Sequence, residues 1–291
     1  MFTGCGTALV TPFHADGSLD ETTLRKLVRR QIDAGIHFLV PCGTTGESPT
    51  LSREEHLRVV EITVSEAAGK TPVLAGCGGY NTAELVHLAK DLHALKVDGL
   101  LSVTPYYSKP APAGLLAHYE AIAAATPLPI MLYNIAGRAA RNIPTAELLR
   151  LAEIDNIIGV KEASGSISQV AEVCQCTPDD FIVLSGDDAV TLPLMSLGGR
   201  GLISVASNEI PAQMAQICSL ALEGDFAAAR AIHRQWYPLM EVNFCETSPG
   251  PVKYAMSRMG LLEANYRLPM APISAENRTK VDAVLSQLKL T

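Results

Sequence analysis

Eight short apolar runs recur along the chain, at 7–13, 38–43, 72–77, 99–104, 129–134, 157–162, 181–186 and 201–205. They are rich in β-branched residues and lack polar alternation, which is how strands buried on both faces read. Helical stretches separate them. Segment 20–34 carries an apolar stripe at Leu24, Leu27, Val28 and Ile32, spaced for one face of a helix. Ser52 and Glu55 have the spacing of a capping box that opens the next helix. Further helices are expected at 82–95, 113–125, 145–153, 167–174 and 211–223. Strand–helix alternation implies a parallel sheet, and eight units in roughly 220 residues is the count of an α/β (β/α)8 TIM barrel. An open doubly wound sheet usually carries a glycine-rich nucleotide loop after its first strand; here that run leads into Pro12-Phe13-His14. After Gly224 only helical patterns follow, at 226–244, 251–259 and 275–288. The expected organisation is a catalytic barrel over 1–224 and a C-terminal helical extension over 225–291.

Composition narrows the function classes. The 291-residue chain is 48% hydrophobic with a net charge of −7, and its acids and bases are mixed. No basic stripe is available to neutralise phosphates, so nucleic acid is not an expected partner. No apolar run approaches the ~18 residues that span a bilayer, and the start MFTGCGTALV lacks the charged and apolar regions of a signal peptide. Seven scattered cysteines, Cys5, Cys42, Cys77, Cys174, Cys176, Cys218 and Cys245, argue against a disulfide framework, and a reducing cytoplasm is the expected location. Cys174 and Cys176 have no second pair, and the histidines show no i, i+4 spacing, so no metal is expected. No phosphate-binding loop and no G-x-S-x-G elbow occur. No organic cofactor is expected.

Barrels of this kind carry their chemistry at the C-terminal ends of the strands. There the chain places Thr44 and Thr45 between two glycines, Tyr106-Tyr107, Tyr133 with Arg138 shortly after, Lys161, Gly186-Asp187-Asp188, and Ile203. Lys161 follows the apolar Ile157-Ile158-Gly159-Val160. A dry wall would lower its pKa and give a free amine for attack on a carbonyl; taken alone, it also fits a lysine snorkelling at a strand end. Tyr133, on the neighbouring strand, can move protons or simply pack. The Thr44-Thr45 loop can hold a carboxylate or extend a proton relay, or it is an ordinary turn. Arg138 can clamp a carboxylate or lie on the surface, as Arg141 is expected to do. Tyr106 and Tyr107 are packing residues, or one caps the site of an adjacent subunit. An amine, a phenol, hydroxyls and a cation on one face suit carbonyl chemistry on small keto acids.

These motifs run in order from MFTG through GTTGES, VTPYY, YN…R, IIGVKEASG, LSGDDA, GGRGLISV and PVKYA to RLPMAPI. In that order the chain resembles, end to end, the dihydrodipicolinate synthase family of pyruvate-dependent class I aldolases. The resemblance implies a lyase that joins pyruvate to L-aspartate-4-semialdehyde in lysine and diaminopimelate biosynthesis. It implies an imine at Lys161, a proton relay of Tyr133, Thr44 and Tyr107, and pyruvate carboxylate binding at Thr45. It further implies semialdehyde binding at Arg138, and backbone lining from Gly186 and Ile203. A homotetramer, a dimer of dimers in which Tyr107 reaches in from a neighbouring subunit, is implied as well. The family's lysine-feedback site is matched at Ser48, His56, Glu84 and Tyr106, while Pro49, Arg53 and Tyr80 depart from the feedback-sensitive pattern. Ala136 stands where the family usually has proline, and Ala139 where threonine is common.

Two other readings remain at this stage. One is an aldolase for a keto-deoxy sugar acid, or an N-acetylneuraminate lyase-like enzyme, of the same superfamily; Arg138 weighs against it. The other is an inactive barrel that serves as a binding protein.

Overall fold

The computed structural model describes residues 1–291. The strands are β1 (Gly4–Ala8), β2 (Phe38–Val40), β3 (Leu74–Gly76), β4 (Gly99–Val103), β5 (Ile130–Asn134), β6 (Ile157–Glu162), β7 (Ile182–Ser185) and β8 (Gly201–Ser204). They pair in the order β2-β1-β8-β7-β6-β5-β4-β3, all parallel. A parallel bridge between Leu39 and Val73 joins the two ends, so the sheet closes as a barrel. The first strand begins earlier than its apolar run suggested, because Gly4-Cys5-Gly6 does not look like a strand. It pairs because glycines let backbones approach: a Cβ on Gly201 would sit 1.9 Å from the Gly4 carbonyl oxygen.

Around the barrel lie α1 (Glu21–Asp33), α2 (Arg53–Ala67), α3 (Thr82–Ala94), α4 (Pro112–Ala124), the single turn α5 (Ala136–Ala139), α6 (Thr145–Leu151), α7 (Ile167–Cys176), α8 (Thr191–Ser196) and α9 (Pro211–Leu222). The capping box at Ser52 and Glu55 is present. Helix α8 was not among the expected helices, and it contains Pro193. The proline falls in the first turn, where a missing N–H does little harm. Three helices follow, α10 (Phe226–Val242), α11 (Gly250–Arg258) and α12 (Ala275–Gln287). No helix is long and apolar enough to cross a membrane.

The core has two main parts. A 55-residue cluster fills the space between strands and helices. A second, of ten residues including Phe2, Phe38, Leu101, Met131, Leu184 and Ile203, plugs the barrel interior. The barrel is thus packed rather than hollow, and Tyr133 belongs to that inner cluster.

Candidate active site

Lys161 and Tyr133 are register partners on β6 and β5. The lysine Nζ lies 4.2 Å from the centre of the Tyr133 ring. Both are buried, Lys161 to 6% exposure. Burial drives the lysine pKa from its ordinary 10.5 down to about 7; Asp188 pulls it back up and the Arg138 charge lowers it further. A large share of the amine is therefore unprotonated near neutrality. Burial also pushes the Tyr133 phenol up to about 12, against the Arg138 charge and a hydrogen bond with Thr44. The phenol is protonated and placed to donate.

Asp188 is buried and its charge acts on Lys161. Its carboxylate accepts from the Ser204 hydroxyl and from the amides of Val205 at 3.0 Å and Ala206 at 3.4 Å. Burial pushes the Asp188 pKa above its ordinary value, and these bonds oppose that rise. Gly186 is needed for space: a Cβ there would sit 2.6 Å from the Ala163 Cβ and 3.0 Å from the Lys161 Cε.

Thr44, Tyr133 and Arg138 line one cleft of about 210 Å³, together with Ser48, Pro49 and Tyr106. Arg138 rides on α5 and donates to the Ser248 carbonyl at 3.2 Å. The segment after α5 is tied back to the strands. Asn134 accepts from the Ile143 amide at 3.0 Å and donates to Asn142 at 2.9 Å and Glu162 at 3.1 Å. Asn142 in turn donates to Gln169 at 2.8 Å. Arg141 is not a free surface side chain: it donates to the Pro110 carbonyl and to Glu147, because the chain folds back over it.

The other expected residues are distributed differently. Gly186 lines a separate cavity of about 470 Å³ with Glu162, Asp187 and Phe244; Ile135 lines both spaces. Thr45 is buried, and Ile203 is wholly buried in the barrel interior. Tyr107 is 89% exposed, in a left-handed backbone conformation with φ of 64°, and lines neither space. His56, Glu84 and Tyr106 line a third cleft with Arg53, Tyr80 and Asn81; Ser48 lines the first cleft instead.

A closed parallel barrel with a desolvated amine and a protonated phenol at its mouth defines a lyase of the Schiff-base aldolase type. The comparisons with known proteins agree. Residues 1–288 match the Dihydrodipicolinate synthetase family. The chain is 53% identical to a 4-hydroxy-tetrahydrodipicolinate synthase of Koribacter versatilis, across 98% of this chain and 95% of that one. The crystal structure of dihydrodipicolinate synthase from Aquifex aeolicus superposes with a TM-score of 0.97 at 42% identity, covering 99% of both chains. A monomeric dihydrodipicolinate synthase variant superposes equally well, with a TM-score of 0.97 at 39% identity over 100% of this chain and 98% of that one. The chain belongs to the dihydrodipicolinate synthetase family.

Proposed function

We propose that this chain condenses pyruvate with L-aspartate-4-semialdehyde through an imine on Lys161. The observation that carries the reading is the buried Lys161 amine set against the Tyr133 phenol. The neutral amine adds to the keto carbon of pyruvate. The phenol passes a proton to the carbinolamine oxygen, which leaves as water, and the imine remains. Loss of a proton from the methyl carbon gives an enamine, whose carbon attacks the aldehyde. The semialdehyde's own amine then displaces Lys161 and closes the ring. Thr44 extends the relay from Tyr133, Thr45 holds the pyruvate carboxylate, and Arg138 pairs with the semialdehyde carboxylate. Gly186 and Ile203 complete the wall through backbone groups.

Borohydride reduction with pyruvate, read by intact-protein mass spectrometry, tests the imine. A pyruvyl adduct is expected on the wild type and not on Lys161→Ala. The semialdehyde is tested by consumption in the presence of pyruvate. Cleavage of a keto-deoxy sugar acid with no semialdehyde turnover would overturn the substrate assignment.

The self-association we propose is a homotetramer in which Tyr107 serves a neighbouring site. Its support is the outward placement of Tyr107. Light scattering across a dilution series gives the mass, and a monomer with full activity would sink the idea. The proposed cytoplasmic location rests on the free state of all seven cysteines. Fractionation of cells expressing the tagged full-length protein would test it, and recovery outside the cytoplasm would refute it.

A further inference from the structure

The Thr44-Thr45 loop is fastened from below by groups that no step of the proposed reaction uses. Lys253 on α11 donates to Glu47 at 2.7 Å and to the Thr11 carbonyl at 3.1 Å. The side chains of this pair are 0% and 1% exposed. The Lys253 ammonium lies between the Phe13 ring at 4.6 Å and the Tyr266 ring at 5.2 Å. The second oxygen of Glu47 accepts from the Arg267 amide at 3.3 Å. One residue earlier, the Thr11 hydroxyl donates to the Gly46 carbonyl at 2.7 Å. Thr11 therefore touches both ends of the arrangement: its carbonyl takes the lysine and its hydroxyl takes the loop.

The loop itself is tight. Glu47 has a left-handed backbone with φ of 53°, a conformation that residues with a side chain seldom adopt. Its amide donates to the Thr44 carbonyl at 3.0 Å, so displacing Glu47 displaces Thr44 directly. A Cβ on Gly46 would lie 3.1 Å from the Leu9 carbonyl oxygen, which leaves the loop no slack toward the barrel. Buried ion pairs are weak contributors to stability, because both charges lose their hydration. Their geometric demand is the stronger effect: a lysine and a carboxylate buried together tolerate few arrangements.

We infer that Glu47, Lys253 and Thr11 form a positioning clamp that holds Thr44 and Thr45 in the attitude the reaction needs. The C-terminal extension thereby enters the site's geometry. The inference rests on the Schiff-base reading above, since it concerns the side that takes pyruvate. Arg138, on the semialdehyde side, is held through α5 and the Asn134 bonds, and meets the extension at the Ser248 carbonyl ahead of α11, a contact that uses neither Lys253 nor Glu47. Loosening the clamp should affect one substrate and spare the other.

The test compares Glu47→Gln and the milder, nearly isosteric Thr11→Val with wild type, in the full chain and well below each melting temperature. The expected result is a kcat lowered about 10- to 100-fold, the scale set by misplacing a catalytic group by about 1 Å. The KM for pyruvate rises and the KM for the semialdehyde stays within about twofold, since uniform binding on that side is untouched. Borohydride still traps pyruvate on Lys161 at saturation. Thr11→Ser, which keeps the donor, restores most of the loss. Arg258→Ala, which removes an exposed pair with Asp282, serves as the control for general weakening of the extension and leaves the constants unchanged. If the variants only melt earlier, with kcat and both KM values unchanged per folded molecule, the clamp is structural and the inference fails. It also fails if both KM values rise together. Should Glu47→Gln not fold, Thr11→Val alone decides between these outcomes. Absence of any adduct on the wild type would instead overturn the Schiff-base reading itself.

Discussion

Tyr133 and Lys161 face each other because β6 carries one residue more than β5 at its start. Ile130 pairs with Ile157, but Met131 pairs with Gly159. Ile157 belongs to the outer core and Ile158 packs against the inner one. Strict alternation would then turn Lys161, which shares the parity of Ile157, toward the helices. The extra residue reverses the phase, so Val160 points outward and Lys161 reaches Tyr133. Gly159 is where the strand yields: a Cβ there would lie 2.2 Å from the Ile182 carbonyl oxygen. Gly159→Ala is expected to cost about 1–3 kcal/mol of stability through overpacking. It should also lower the rate of borohydride trapping at Lys161 by about 100-fold, as a misaimed nucleophile would. Trapping at the wild-type rate would show that the bulge does not aim the lysine.

The lysine's lowered pKa has consequences for rate and for stability. Imine formation needs the free amine, so kcat/KM for pyruvate should rise with pH through about 7 and then level. The stability sign is opposite to that of a paired lysine. The folded pKa lies below the unfolded one, so burial costs most below pH about 7 and the cost fades as pH rises toward 10.5. Lys161→Met should therefore raise the melting temperature more at pH 6 than at pH 9. An equal gain at both values, or an acid limb far from 7, would contradict this account.

Much of the barrel was legible because strands buried on both faces must be apolar throughout. That same uniformity hid the bulge: Ile157-Ile158-Gly159-Val160 has no polar residue to mark which side faces in. Lys161 and Tyr133 could be placed because each is the last residue but one of its strand, and Thr44 and Arg138 because each follows a strand end. Asn134 and Glu162 stand beside site residues, and a polar residue closing an apolar strand was the available signal for them. Glu47 and Lys253 meet across 206 residues of sequence, where no local spacing could announce them. Arg141, in the connection between α5 and α6, was misjudged because the fold brings the Pro110 carbonyl and Glu147 to it.

Lysine should be a poor inhibitor. The cleft with His56, Glu84 and Tyr106 also holds Arg53 and Tyr80. Arg53 is paired with Asp91, and the His56 ring is committed to the Gly76 carbonyl at 2.9 Å. Tyr80 meets Tyr106 edge-on, with ring centres 5.2 Å apart, and the side-chain oxygen of the adjacent Asn81 is taken by the Ala83 amide at 3.2 Å. Initial rates at millimolar lysine are expected to match those without it, and calorimetry should detect no heat of binding. Inhibition that Arg53→Ala removes would show that the cleft accepts lysine after all.

Glu209 should be uncharged in the folded protein. It is wholly buried, and burial, reinforced by Asp188, pushes its pKa well above the ordinary carboxylate value against Asn243 and Arg30. The Asn243 amide donates to one carboxyl oxygen at 2.6 Å. The other carboxyl oxygen and the Asn243 oxygen are both buried acceptors without a donor. One proton on Glu209, donated to Asn243, answers both in a reciprocal acid–amide pair. The Arg30 guanidinium does not neutralise the acid, since it donates to the main-chain carbonyls of Asn208 and Glu209. Because the folded pKa exceeds the unfolded one, this group favours the fold fully below pH about 4.3 and progressively less as pH rises toward its folded value. Glu209→Gln supplies the same donor without an ionisable proton. Its melting temperature should match wild type near pH 5 and exceed it near pH 9, while Glu209→Ala, which leaves Asn243 unpaired, falls below wild type near pH 5. Parallel wild-type and Glu209→Gln curves across that range would mean that Glu209 carries its charge when folded.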